Sequence, residues 1–183
     1  MKKIVRLVGS SVLAGSMLLG MTGCALTDVK NAGTEIMSNS LNFKGSKVTK
    51  YFNEDDDDYD VQCELFEQYM DNMAEFLDMD YDEVVVKSYH IDIKNNDATI
   101  EYVYQIEGET FEYELNLTKD GDDWVIEDNE EFIVNYVNFV MEIYYEEGDK
   151  DDREFIEEVM DAYGVSKVSK IGQAYYDKTT EWL

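Results

Sequence analysis

From Val61 to Leu77 the apolar residues Val61, Leu65, Phe66, Tyr69, Met70, Met73, Phe76 and Leu77 fall three and four apart, one face of an amphipathic helix. Asp60 stands where an N-cap belongs, and acidic residues nearby suit the helix dipole. The period then drops to two. Tyr89, Ile91 and Ile93 alternate with His90 and Asp92, and Ala98, Ile100, Tyr102, Tyr104 and Ile106 alternate with Thr99, Glu101, Val103 and Gln105. Phe111, Tyr113, Leu115 and Leu117 do the same with Glu112, Glu114 and Asn116. Strands with one buried face and one wet face produce this pattern. Asn95-Asn96, Glu107-Gly108 and Asp120-Gly121 separate the runs, and such residues tolerate the positive φ of tight hairpins. With Trp124 to Glu127, residues 83–128 predict a four-stranded antiparallel meander.

Helical spacing returns after Asp128. Phe132, Ile133, Tyr136, Val137, Val140, Ile143 and Tyr144 form one stripe, ended by Gly148; Phe155, Ile156, Val159, Met160 and Tyr163 form another, ended by Gly164. A weaker segment holds Val168, Ile171, Ala174, Tyr175 and Trp182. The expected fold class is α+β: the meander packs against amphipathic helices, with an N-terminal helix before the sheet and two or three helices after it, over 130–182. Residues 34–183 suit a single domain with one core.

Ahead of the first strong helix the pattern is thin. Residues 24–33 read as a flexible tether, with a mean reach of about 17 Å if it is a coil, and a weak helix follows to about Leu41. Residues 53–60 form an acidic loop, Glu54-Asp55-Asp56-Asp57-Asp58-Tyr59-Asp60, whose self-repulsion favours a solvated conformation. Counting Asp56 as the first position of a calcium-binding loop places Asp58, Asp60, Glu64 and Glu67 at the third, fifth, ninth and twelfth, all oxygen ligands suited to Ca²⁺. Val61 occupies the sixth position, where the sharp turn demands glycine.

The first residues follow a different logic. Lys2, Lys3 and Arg6 precede a mostly apolar or small stretch from Leu7 to Met21, interrupted by Gly9, Ser10, Ser11, Gly15, Ser16 and Gly20. That fits a removable signal better than a membrane span of ~20 apolar residues. Met21-Thr22-Gly23-Cys24 resembles the lipobox of bacterial lipoproteins, with Met21 where that family more often has Leu. The resemblance implies that residues 1–23 are cleaved and that Cys24 carries the lipid. It also implies an extracytoplasmic domain anchored to the bacterial cell membrane. Two acyl chains anchor stably where one is marginal.

Charge narrows the partners. The chain holds 15 Lys/Arg and 42 Asp/Glu; without Lys2, Lys3 and Arg6, twelve basic residues remain and the formal charge is −30. A nucleic-acid partner, which needs a basic footprint, is excluded. Anionic headgroups repel such a domain, while cations and basic peptides are attracted. Lipidation of Cys24 leaves Cys63 with no disulfide partner; on its predicted helix it reads as a small, partly buried residue.

At Leu117-Thr118-Lys119-Asp120-Gly121-Asp122-Asp123-Trp124-Val125-Ile126 the chain resembles the last hairpin of small domains with the nuclear-transport-factor-like cone fold. The alternation around Ala98-Thr99-Ile100 extends the resemblance over roughly Val61 to Asp128. It implies a curved sheet, in a family that hosts enzymes and binding modules alike. The helices after Asp128 depart from that family, which usually stops soon after its last strand.

Chemistry is sparse. No HExxH, GxSxG, paired CxxC, phosphate-binding glycine loop or dinucleotide fingerprint occurs, and His90 is the only histidine, on a predicted outward strand face. Lys87, in phase with Val85, Tyr89 and Ile91, shares a predicted face with Tyr102, Tyr104, Tyr113 and Trp124. Phenols and an indole around one cation make a pocket for an apolar or anionic small ligand if the helices leave the face open. If they cover it, the same residues are core and Lys87 snorkels at the rim. The expected role is therefore a non-catalytic binding module with no organic cofactor. The alternatives are an acidic immunity or decoy lipoprotein that captures a cationic peptide or toxin, and a cone-fold enzyme using carboxylates.

Overall fold

A computed structural model describes residues 23–56, 58–76, 84–106 and 108–181. Of the signal expected over 1–23, residues 1–22 lie outside them, as does Trp182. Among the described residues six α-helices and four strands follow in order: α1 Gly23–Leu41, α2 Gly45–Val48, α3 Tyr59–Phe76, β1 Val84–Lys94, β2 Asp97–Ile106, β3 Glu109–Asp120, β4 Asp123–Ile126, α4 Asn129–Glu147, α5 Lys150–Tyr163 and α6 Ile171–Thr180. The expected α+β meander is present, in the order β1-β2-β3-β4 and antiparallel throughout.

Residues 24–33, read above as a tether, belong to α1. Val29, Ala32, Gly33, Ile36, Met37, Ser40 and Leu41 are its buried positions, spaced three and four apart. The stripe is helical, but three of its members are Ala, Gly and Ser, so its hydropathy is low. Small residues are there for proximity. A Cβ on Gly33 would lie 2.3 Å from Cδ1 of Ile100 and 2.7 Å from the Tyr102 hydroxyl, so the helix backbone rides directly on the sheet.

In the sheet, Ile91 faces Ile100 and Ile100 faces Leu115, which keeps the apolar alternation in one layer. The turns use Asn95 (φ 59°), Gly108 (φ 107°) and Gly121 (φ 56°). Between Val86 and Ser88 the register with β2 slips, so that Val86 opposes Tyr104 and Ser88 opposes Val103. The extra residue is Lys87. A bulge of one residue inverts the side-chain phase, placing Val84 and Val86 in layer with Tyr89 and leaving Lys87 exposed.

Helices α1 and α4 cover the apolar face. From α4, Phe139 packs on Tyr104 and Tyr113 with centroids 5.7 and 5.0 Å away, while Phe132 and Tyr136 join Phe52 and Phe66 in an aromatic cluster. The Tyr136 hydroxyl donates to the Ser40 carbonyl at 2.7 Å, tying α4 to α1. The start of α4 is fixed by Asp128, whose carboxylate accepts from the Glu131 amide. At its end Gly148 is extended rather than left-handed, and a Cβ there would meet the Tyr144 carbonyl oxygen at 2.2 Å. Close approach, not positive φ, is what requires this glycine. A capping box of Asp149 and Asp152 opens α5, and Gly164 closes it at φ 70°.

The acidic loop is tied down. Asn53 donates its amide to Oδ1 of the fully buried Asn129, whose Nδ2 donates to the Asn53 carbonyl and to Oε1 of Gln62. Gln62 donates onward to the Tyr176 hydroxyl, and Asp56 accepts the Asn129 amide at the first residue of α4. Asp60 lies inside the first turn of α3 rather than at its cap.

Candidate functional site: an acidic cleft beside α1

The aromatic sheet face expected as a pocket is core. Tyr102, Tyr104, Tyr113 and Trp124 are buried beneath α1 and α4, and Tyr89 is half-buried with its ring 6.4 Å from that of Tyr102. Burial pushes the phenols of Tyr102, Tyr104 and Tyr113 far up. Lys87 does not join them, because of the bulge. The cation near this group is Lys30 of α1, whose Nζ lies 5.6 Å from the Tyr89 centroid. The open-face pocket is thus replaced by its covered alternative.

The five oxygen ligands counted for calcium do not form a loop. α3 begins at Tyr59, so Asp60, Glu64 and Glu67 are strung along one helix instead of wrapping around an ion as the positions of a coiled loop do. Glu67 accepts from the Thr49 hydroxyl at 2.7 Å, Asp56 serves α4, and Asp58 is exposed. Among the described residues no group of three or more His, Cys, Asp or Glu is placed to hold a metal ion. Cys63 is half-buried on α3, and burial raises its thiol pKa, which keeps it a poor nucleophile. Cys24 is exposed in the first turn of α1.

What the fold assembles instead is a cleft of about 490 Å³ where α1 passes the β3–β4 turn and the segment after α2. Asp28 and Glu35 enter from α1, Glu54 from the acidic loop, and Asp120, Asp122 and Asp123 from the turn; Lys50 is the one cation in the lining. Tyr51, Phe52 and Trp124 supply its aromatic wall. The Tyr51 hydroxyl donates to Oε2 of Glu35. Burial, then the bond and charge of Glu35, then Asp123, push this phenol up to about 12. A neighbouring depression of about 680 Å³ shares Glu35, Lys50 and Tyr51, and adds Lys47.

Carboxylates on three sides of an aromatic wall favour an organic cation, by charge and by the ring quadrupole. Among the described residues neither cysteine nor histidine lines the cleft. Periodicity does not find this site, because its residues come from segments some ninety positions apart and each reads locally as helix surface or turn. The surplus of carboxylates in Asp120-Gly121-Asp122-Asp123, beyond what a hairpin turn needs, is the one local signal.

No family model and no curated protein matches the chain. Four solved chains are similar in structure. One of them, from Campylobacter jejuni and described as an NTF2-like transpeptidase, is 13% identical with a TM-score of 0.42, over 54% of this chain and 96% of its own. The fold assignment rests on the strands and helices above and not on that likeness.

Proposed function

We propose that this protein is an extracytoplasmic, lipid-anchored and non-catalytic module that captures a cationic partner at the acidic cleft. The observation that carries the reading is the cleft itself, six carboxylates and one ammonium around Tyr51 and Trp124. The net charge of −27 supports it, since a field of that sign draws basic partners in and raises their association rate. Anchoring is supported by the lipobox-like Met21-Thr22-Gly23-Cys24 and by the exposure of Cys24. Among the described residues no helix is long and apolar enough to cross a membrane.

Titration of the purified full chain with argininamide, followed by NMR, tests the cleft, because one amino-acid amide is too short to act as a strand. Shifts should centre on Tyr51 and the Trp124 indole. Salt at about 0.3 M should weaken them, and Asp28→Asn with Glu35→Gln and Asp122→Asn should weaken them about tenfold or more. Equal binding by the triple variant would overturn the reading. For the anchor, Cys24→Ser should move the protein out of the membrane fraction, and unchanged retention would refute lipidation.

A further inference from the structure

The outer side of β3 is only partly used. This strand runs over twelve residues, yet β4 has four and pairs only with Leu117 to Asp120. The direction of the remaining backbone groups follows from two bonds. The Asn116 carbonyl accepts the Glu127 amide, on the β4 side, whereas the Lys119 amide donates to Asn96, on the β1–β2 side. Successive residues alternate, so the N–H and C=O groups of Thr110, Glu112 and Glu114 point past the end of β4. Among the described residues nothing bonds to them. They form a short free edge, the template on which another chain adds as a strand.

The surroundings select the occupant. Glu109 and Glu112 of β3, with Glu142, Glu146 and Glu147 of α4, line a groove of about 500 Å³ along this edge, and among the described residues no cation lines it. The groove also lies beside the C-terminal end of α4, where the helix dipole adds negative potential. Where β4 stops, Tyr113, a residue 95% buried whose hydroxyl has no hydrogen-bond partner among the described residues, lines a crevice with Glu114 and Glu131. That crevice, about 10 Å³, has room for about one water or one ammonium tip. A second copy of this chain, itself at −27, is repelled from such an edge. The opposite edge, β1, is blunted by the bulge at Lys87 and by its lysines.

We propose that the free edge of β3, from Thr110 to Glu114, accepts an extended, lysine- or arginine-rich segment of a partner protein as a fifth strand. Backbone bonds to Thr110, Glu112 and Glu114 hold it, and the flanking glutamates select its charge. The edge is remote in sequence from most of the cleft and stands or falls without it.

The probe is a synthetic nonapeptide of alternating lysine and valine, titrated into the full chain and read by amide hydrogen exchange. Binding should slow exchange at Thr110, Glu112 and Glu114. N-methylation of every second peptide nitrogen should cost about tenfold or more in affinity when it falls on the edge-facing positions, and much less in the other phase. Glu112→Pro, which removes one outward amide, should act like the edge-facing methylation, while Glu112→Gln should keep most of the binding. If Glu112→Pro fails to fold, the two methylated peptides decide alone. Equal affinity of the two, no binding by the unmethylated peptide, or pairing of two copies through this edge would overturn the proposal. The cleft variants Asp28→Asn and Glu35→Gln should leave the exchange pattern unchanged, which separates failure here from failure there.

Discussion

Asn129 connects more of the molecule than any property of its type announces. Its side chain takes one bond from Asn53 and gives one each to Asn53 and Gln62, all inside the protein. Removing it strands those partners, and each buried polar group left unsatisfied costs about 1–3 kcal/mol. Asn129→Ala should therefore lower stability by about 3 kcal/mol, seen as a drop in the urea midpoint with an unchanged slope. Asn129→Asp should also destabilise, because a carboxylate cannot donate to the Asn53 carbonyl or to Oε1 of Gln62. A loss below about 0.5 kcal/mol for both would show that water satisfies the partners equally well. In the sequence Asn129 reads only as the residue at which helical spacing returns. Its importance comes from partners 67 and 76 positions away, and hydropathy carries no trace of such pairings.

Among the elements, α1 leans on a single small residue where it crosses the sheet. Gly33→Ala gains up to about 1 kcal/mol of helix propensity but forces a methyl into Ile100 and Tyr102, and overpacking of this kind costs about 1–3 kcal/mol. Net destabilisation is expected, and Gly33→Val, larger and β-branched, should be worse; chemical denaturation ranks the three proteins. Stabilisation by Ala would mean that the sheet yields freely. The same glycine explains why the start of α1 is hard to read, since a residue selected for closeness also looks like punctuation. The strands were more legible, because alternation and turn residues agree from Tyr89 to Ile126. The exception is the head of β1, where Val84-Val85-Val86 is apolar on both faces. With no alternation to show the phase, the slip at Lys87 leaves no mark, and the lysine is assigned to the wrong side.

Across the whole molecule, buried phenols set an alkaline limit. Burial holds Tyr69, Tyr104 and Tyr136 well above the ordinary tyrosine range, and Tyr51 is pushed up to about 12. The unfolded chain releases these protons near pH ~10, so above that point the folded state binds more protons than the unfolded one. The stabilisation is complete below about pH 10 and falls as pH rises through the raised values. Titration at 295 nm with parallel circular dichroism should show the buried tyrosines ionising well above pH ~10, and only as the helices are lost. Smooth ionisation of all fourteen with an unchanged helical signal would contradict the buried positions. The packing of α1 bears on a different property. Only four residues separate Cys24 from Val29, the first buried position, and all of them are helical. A lipid on Cys24 would grip the end of a strut about 28 Å long that is bolted to the sheet, where a string had been expected. Such an attachment would give the domain a heading as well as an address, limiting which hemisphere turns to the bilayer and from which side a partner arrives.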